Sequence, residues 1–415
     1  MLQIVQENRE AFIELIKRMI ATDAQTCKEG DLAKLIVEEF KKAGVDEAFI
    51  DGVGNAVAVI RGEGKGPNVM FNGHLDRVPA GNLENWAPYK PFEPVIEDGF
   101  IFGRGVSDVL AGLAAQIFAM KAVVERIVKK GRKLPGDLIF TAVVQEEAAE
   151  MFGMEYFFDH TMDERNIKVD VVYLCEASQN NLALGHRGKV ELVVKAYGKM
   201  CHSSSPKRGV NALSEMMPIL EHIFTEKGID IRVDPKLGEG SITVTNCITR
   251  PGTLSVVPDE CEISIDRRYT TEQNLDGLIK EFEDIFEEIK AEKTDFKATV
   301  EPRTFVETSW TGVTKKVKKF HPPWKTDINN EYVQRTIKAL RGVGQDPHEK
   351  YWEFGTDGSS TAAIHGLPTI GYAGMDEKWA HQPKERANIE EVVKTYEGYI
   401  AIIAEMYGLD IKAFD

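Results

Sequence analysis

Cysteine is scarce in this chain. Cys27, Cys175, Cys201, Cys247 and Cys261 are spread over 415 residues, an odd number with no Cys-x-x-Cys spacing. That argues against a disulfide frame and a thiolate zinc site, and suits reduced thiols in a cytoplasm. Cys201 and His202 do not make a catalytic dyad, because neighbours on an extended strand point to opposite faces. Positive charge is also short: 51 Lys and Arg stand against 66 Asp and Glu, a net charge of −15. A nucleic-acid polyanion or an anionic membrane surface is therefore a poor main partner. The one basic cluster, Lys315-Lys316-Val317-Lys318-Lys319, reads as a solvated loop or helix face. No apolar run reaches the ~18 residues of a membrane span. Met1 to Glu7 has neither the basic nor the apolar region of a secretory signal. Internal repeats and low-complexity tracts are absent.

The chain does have ample core material, being 43% hydrophobic and 28% charged. Its length suggests two or three domains. Helical periodicity marks residues 4–21, with Ile4, Phe12, Leu15, Ile16, Met19 and Ile20 on one face. Further helices are expected at 31–43, stopping at Gly44, and at 108–130. Strands are expected at 55–60, 68–73, 137–144 and 169–175. This alternation predicts an α/β fold: a mainly parallel sheet with helices on both faces.

Near Arg187 the pattern changes. Strands at 189–197, 241–249, 261–269 and 296–300 interleave with helices at 209–226 and 272–291, a split βαβ, ferredoxin-like order. After a Pro- and Lys-rich passage (303–325), helices at 329–341, 358–365 and 388–407 and a strand at 368–372 resume the first pattern. The expected organisation is a catalytic domain in two parts, 1–186 and 303–415, interrupted by an inserted α+β domain at 187–302.

Residues suited to chemistry collect where strands end. His74 and Asp76 close the strand that begins at Asn68. A carboxylate beside an imidazole can accept its second N–H and fix its tautomer. Asp108 follows Gly103-Arg104-Gly105-Val106-Ser107 and opens a helix, where an ordinary N-cap is the plain reading. Glu146-Glu147 follows the strand Ile139–Val144, and Glu176 follows Val171–Cys175. His381 lies just past the last strand. Singly each has a structural explanation. Together they bring two histidines, three ligand carboxylates and one spare carboxylate to one sheet edge, where ligands gather in open α/β sheets. That set suits two zinc-type cations sharing one carboxylate, with the spare carboxylate as general base. A purely structural set is the alternative.

The segments Gly73-His74-Leu75-Asp76, Gly103-Arg104-Gly105…Asp108, Gln145-Glu146-Glu147, Cys175-Glu176-Ala177-Ser178, Gly198-Lys199-Met200-Cys201-His202, Val256-Val257-Pro258-Asp259, Asp266-Arg267-Arg268 and Ala380-His381 carry a resemblance. In order and spacing they resemble the family of acetylornithine deacetylases, succinyl-diaminopimelate desuccinylases, aminoacylases and glutamate carboxypeptidases, over nearly the whole chain. Gly81–Trp86 and Ser309-Trp310-Thr311-Gly312 are similar to its selenium-metabolism-linked YgeY-type members.

The resemblance implies an amidohydrolase with two divalent ions, zinc or in its place cobalt or manganese. His74, Asp108 and Glu176 would hold one ion; Asp108, Glu147 and His381 would hold the other. Glu146 would be the general base and Asp76 would orient His74. His202 would reach a partner subunit's site in a homodimer formed through the inserted lid domain. Arg268, Gly355 and Thr356 would bind the carboxylate of a small amide substrate: an N-acyl or N-carbamoyl amino acid, or a dipeptide. Ser255 before Val256, Arg250-Pro251-Gly252 and Tyr372-Ala373-Gly374 depart from the family pattern. The first two touch the substrate side, so deacylase, dipeptidase and carboxypeptidase stay open. A binding protein that merely kept the fold is the reading from another class.

Overall fold

Apolar residues alternate between the two faces of each central strand, and both faces are covered. In the computed structural model, which describes residues 1–415, Val69 and Phe71 point into one core while Met70 points into another. Ala56, Ala58 and Ile60 share the first core, and Val57 and Val59 the second. This is the period-2 consequence of a sheet buried on both sides. The larger core, of 72 residues, lies under helices Gln3–Ala21, Gly30–Ala43, Ala111–Arg126 and Ile389–Tyr407. The smaller core is capped by Met154, Phe157 and Ile167 from the segment after Glu146-Glu147.

The strand order is Glu47–Ile50, Ala56–Ile60, Leu138–Val143, Val69–His74, Val171–Leu174, Thr369–Gly371, Leu182–His186 and Trp324–Lys325, with Glu349–Trp352 also paired to Leu182–His186. Its four central strands run parallel. The outer pairings to Ala56–Ile60, and of Thr369–Gly371 and Trp324–Lys325 with Leu182–His186, are antiparallel. Gly73 has no alternative in its strand, since a Cβ there would sit 2.4 Å from Cys175 Sγ and 2.8 Å from a Leu113 methyl.

The stretch Val106–Lys130 is long and apolar enough to cross a membrane, but it is buried inside the protein. Helix Ala111–Arg126 packs against the sheet and against Ile389–Tyr407, so it is apolar nearly all round.

The inserted unit has its own sheet, ordered Ser241–Arg250, Glu260–Tyr269, Gly188–Tyr197 and Ala298–Pro302, all antiparallel. That is the ferredoxin-like arrangement. Helices Ala212–Thr225 and Leu275–Glu292 cover one face over a separate core of 18 residues. Ser241–Arg250 is an edge strand with most residues partly or fully exposed.

The basic cluster is neither loop nor helix. Thr314–Lys318 pairs with Thr304–Thr308 as a β-hairpin in which Val317 is buried, and Phe320–His321 then pairs with Gly188–Tyr197. Alternation turns Lys316 and Lys318 outward, while Lys315 and Lys319 lie on the side of Val317 that packs inward.

Candidate metal centre

His74 is the last residue of strand Val69–His74. Glu146 and Glu147 begin the short helix after strand Leu138–Val143, and Glu176 stands two residues beyond Leu174. These are the carboxyl ends of three neighbouring parallel strands. Asp108 comes from the turn before helix Ala111–Arg126, and His381 from the loop after Thr369–Gly371.

The side chains converge. Asp108 Oδ1 lies 3.0 Å from His74 Nε2, and Asp108 Oδ2 lies 2.9 Å from His381 Nε2. Asp108 thus lies between the two rings, one oxygen to each. Glu147 Oε1 is 3.0 Å from His381 Nε2, and Glu176 Oε1 is 3.6 Å from His74 Nε2. Ligand atoms of His74, Asp108 and Glu147 all lie within 4.8 Å of one another.

The electrostatics of this cluster suit a cation. Burial pushes the Glu176 carboxyl up to about 8, with the carboxylates of Asp108, Asp357 and Glu147 adding to it. Burial likewise raises Glu146 well above the usual range. Hydrogen bonds to Asp108 and Glu147 raise His381 to about 10. Burial alone would raise Asp108; hydrogen bonds from His381 and His74 outweigh it and hold that carboxyl low. The carboxylates gathered around the two imidazoles thus favour positive charge between them. A divalent cation bound by nitrogen and oxygen donors fits that demand.

Asp76 is wired differently from expectation. His74 Nδ1 meets the backbone carbonyl of Asp76 at 2.9 Å, while the Asp76 carboxylate is 3.8 Å away. That carboxylate accepts the backbone N–H of Glu146 at 3.0 Å, the N–H of Glu147 at 3.2 Å and the hydroxyl of Thr26 at 3.0 Å. The chain turns directly after His74, which brings a carbonyl to the ring. Asp76 therefore presents its carbonyl to His74 Nδ1, leaving Nε2 for the centre, and its carboxylate orients the turn bearing Glu146.

A cavity of about 270 Å³ opens over the cluster, lined by Ser107, Asp108, Glu146, Glu147, Glu176, Ala177, Phe354, Gly355, Glu377, Ala380 and His381. Gly355 is in its wall. Thr356 is buried instead, with its N–H given to His186 Nε2 at 3.0 Å. Arg268 is not part of the wall; its Nε donates to Asp266 at 2.7 Å. His202 is exposed on the inserted unit, its Nδ1 accepting from the Ser204 N–H at 3.1 Å.

Two buried carboxylates escaped the sequence reading. Glu385 accepts from Arg104 Nη1 and from the N–H groups of Gly105, Ser107 and Asp108, so it fixes the loop that carries Asp108. Asp357 is buried beside the cluster with Oδ1 unpartnered, and burial raises it to about 7. Flanked by Lys384 and Arg386, Glu385 looks solvated in the sequence; Gly-Thr-Asp-Gly around Asp357 is at most a turn signal.

A nitrogen- and oxygen-donor cluster at the strand ends of an α/β sheet, with a carboxylate to spare, defines a metallohydrolase. The chain belongs to peptidase family M20/M25/M40, whose model matches residues 70–405. It is 31% identical to the uncharacterised protein YgeY of Escherichia coli (strain K12) over 395 residues, covering 95% of this chain and 92% of that protein. It is 25% identical to the succinyl-diaminopimelate desuccinylase of Nautilia profundicola, covering 95% and 99% of the two chains. Among solved structures, aminopeptidase PepT from Bacillus cereus superposes with a TM-score of 0.73 at 20% identity, covering 96% of this chain and 99% of that one. YxeP of Bacillus subtilis, described as a dinuclear metal-binding peptidase of the same family, does so with a TM-score of 0.68 at 13% identity, covering 97% and 99%.

Proposed function

We propose that this metal-dependent amide hydrolase acts on a small carboxylate-bearing substrate, an N-acyl or N-carbamoyl amino acid, with two zinc ions as its resident metals. The observation that carries the reading is the convergence of His74, Asp108 and Glu147 within 4.8 Å, with Glu146 in the same cavity wall. His74, Asp108 and Glu176 would hold one ion; Asp108, Glu147 and His381 would hold the other. Bound there, such ions polarise a carbonyl and acidify water. Glu146 takes a proton from the attacking water and delivers it to the departing nitrogen as the carbon–nitrogen bond breaks. Asp76 holds that carboxylate in place through the backbone of its turn.

The inserted unit, 187–302, is proposed as lid and dimerisation domain of a cytoplasmic homodimer. Supporting this, Leu213, Met217 and Phe224 form an exposed stripe on helix Ala212–Thr225, and the edge strand Ser241–Arg250 offers unpaired backbone to another chain. In that dimer His202 serves the opposite subunit's site and donates to the developing oxyanion. Arg268 reaches the substrate carboxylate when the lid closes.

A second reading, a dipeptidase, is favoured by the cavity wall, which is acidic and carries no lysine or arginine. Such a wall suits a substrate ammonium. Metal analysis of reconstituted protein, with turnover of N-acetyl amino acids, N-carbamoyl amino acids and dipeptides, tests both. Two ions per chain and cleavage of the acyl or carbamoyl compounds are expected. Full activity with a single ion overturns the two-metal reading, and cleavage of dipeptides alone selects the second.

A further inference from the structure

The short helix Glu146–Ala149 carries both the base and a metal ligand, and it is bracketed by two unusual residues. Gln145 has φ +57° and Glu150 φ +58°, the region that L side chains rarely adopt. Such conformations persist only where the surroundings over-determine them. Besides the Asp76 carboxylate and Cys27 Sγ at its start, the turn is held at both ends by groups of one segment, 303–321. The Gln145 side-chain amide donates to the Thr308 carbonyl at 2.9 Å. Lys319 Nζ donates to the Ala148 carbonyl at 2.8 Å and stands 3.3 Å from Glu150 Oε1. The other Glu150 oxygen is paired with His321 Nε2.

This segment is continuous with the inserted sheet. A single residue, Arg303, separates strand Ala298–Pro302 from the hairpin, and Lys319 alone separates the hairpin from Phe320–His321. The Arg303 N–H donates to the Glu191 carbonyl at 2.7 Å, and the Glu191 N–H to the Lys319 carbonyl at 3.0 Å, so the hairpin's root is stitched into strand Gly188–Tyr197. Its tip is anchored in the other sheet's loops. Thr311 Oγ1 donates to the Gly52 carbonyl at 2.8 Å and Trp310 Nε1 to the Gly54 carbonyl at 3.3 Å. The indole fills space that only glycines leave free: a Cβ at Gly54 would lie 2.2 Å from Trp310 Nε1, and one at Gly30 would lie 3.0 Å from the ring.

We propose that Gln145 and Lys319 are positioning residues, through which the hairpin rooted in the inserted sheet clamps turn 145–150 and sets where Glu146 and Glu147 stand. The functional half of this inference rests on the metallohydrolase reading; the clamp itself does not. Two measurements on the full chain separate them. In metal-free protein, Lys319→Met and Gln145→Ala are each expected to speed hydrogen–deuterium exchange across residues 144–152 about tenfold, as loss of a hydrogen bond to the backbone implies. Lys319→Arg restores protection. In a cobalt(II) titration followed by visible absorption, the same two variants are expected to weaken binding about 10- to 100-fold, the usual consequence of losing a partner that orients a ligand. Unchanged exchange in both variants overturns the clamp. Faster exchange with an unchanged cobalt isotherm reduces it to a structural tie and overturns the positioning role. If the wild-type chain takes up no cobalt while exchange responds as expected, the clamp stands and the metallohydrolase reading falls.

Discussion

The two sheets treat charge and apolar surface in opposite ways. The larger one hides its apolar side chains on both faces and gathers His74, Asp76 and Glu176 at one edge with almost no exposure. The inserted one leaves Leu213, Met217, Phe224 and Ile248 in the open, and its candidate functional residues, His202 and Arg268, are engaged with close neighbours in sequence. Burying three ionisable groups together is costly unless something compensates. Exposing a stripe of large apolar side chains is equally uneconomical for a face that stays in water. The first region is suited to an ion; the second is the one proposed to meet another protein surface.

The comparison can be broken most decisively at Glu146. Glu146→Ala is expected to lower kcat by about 10²–10⁴-fold, the contribution of a positioned general base, while metal content stays the same. Glu147→Ala, its neighbour, should lose metal as well, read by elemental analysis after dialysis. Near-normal kcat in Glu146→Ala would move the base elsewhere. His202 tests whether the inserted unit serves a neighbouring site. His202→Ala should cost about 100–1000-fold in kcat, as removal of an oxyanion donor does, with metal content unaltered. Mixing His202→Ala with Glu146→Ala chains should create one intact site per mixed dimer and restore activity toward half of normal. No recovery after confirmed subunit exchange would assign His202 to its own chain or to no site.

A smaller effect is expected at the apolar stripe. Phe224→Glu should shift sedimentation from dimer to monomer without altering the melting temperature by more than a few degrees, because the side chain is 72% exposed. A dimer unaffected by this change would place the interface elsewhere. The smallest effect concerns the buried charge of the first region. Burial and the nearby Asp76 carboxylate raise Glu29 to about 7. A carboxyl raised on folding carries little penalty below its ordinary value of 4.5, where it is protonated in both states, and destabilises increasingly from there to about 7, where the penalty levels off. Glu29→Gln should therefore raise the melting temperature at pH 8 and change it little at pH 5. An equal change at both pH values would mean that the gain is not electrostatic.

Much of this was legible in the residues. The strand expected at 68–73 is Val69–His74, the helix expected at 388–407 is Ile389–Tyr407, and the four strands and two helices of the insert fall within three residues of expectation. Long periodic segments announce themselves. Strands Glu47–Ile50 and Leu182–His186 did not, because four or five residues carry too little periodicity. Segment 146–165 breaks into short α and π turns, which no single period describes. Ser309-Trp310-Thr311-Gly312 read only as a family signature, though it is the tip of the hairpin. Glu385 and Asp357 were invisible for a different reason: a carboxylate buried by distant parts of the chain leaves no local trace.

Because both faces of strand Val69–His74 meet apolar cores, its hydrophobic pattern cannot tell one alignment with its neighbours from an alignment slipped by a residue. Asn72 and Gly73 remove the ambiguity. The Asn72 amide reaches Thr141 Oγ1 at 3.1 Å across the pairing, and only a residue without a Cβ fits against Cys175 and Leu113. A slip by one would press the His74 side chain into the space reserved for a hydrogen atom. The location of the His74 imidazole along the sheet is thus encoded by the smallest residue in the strand.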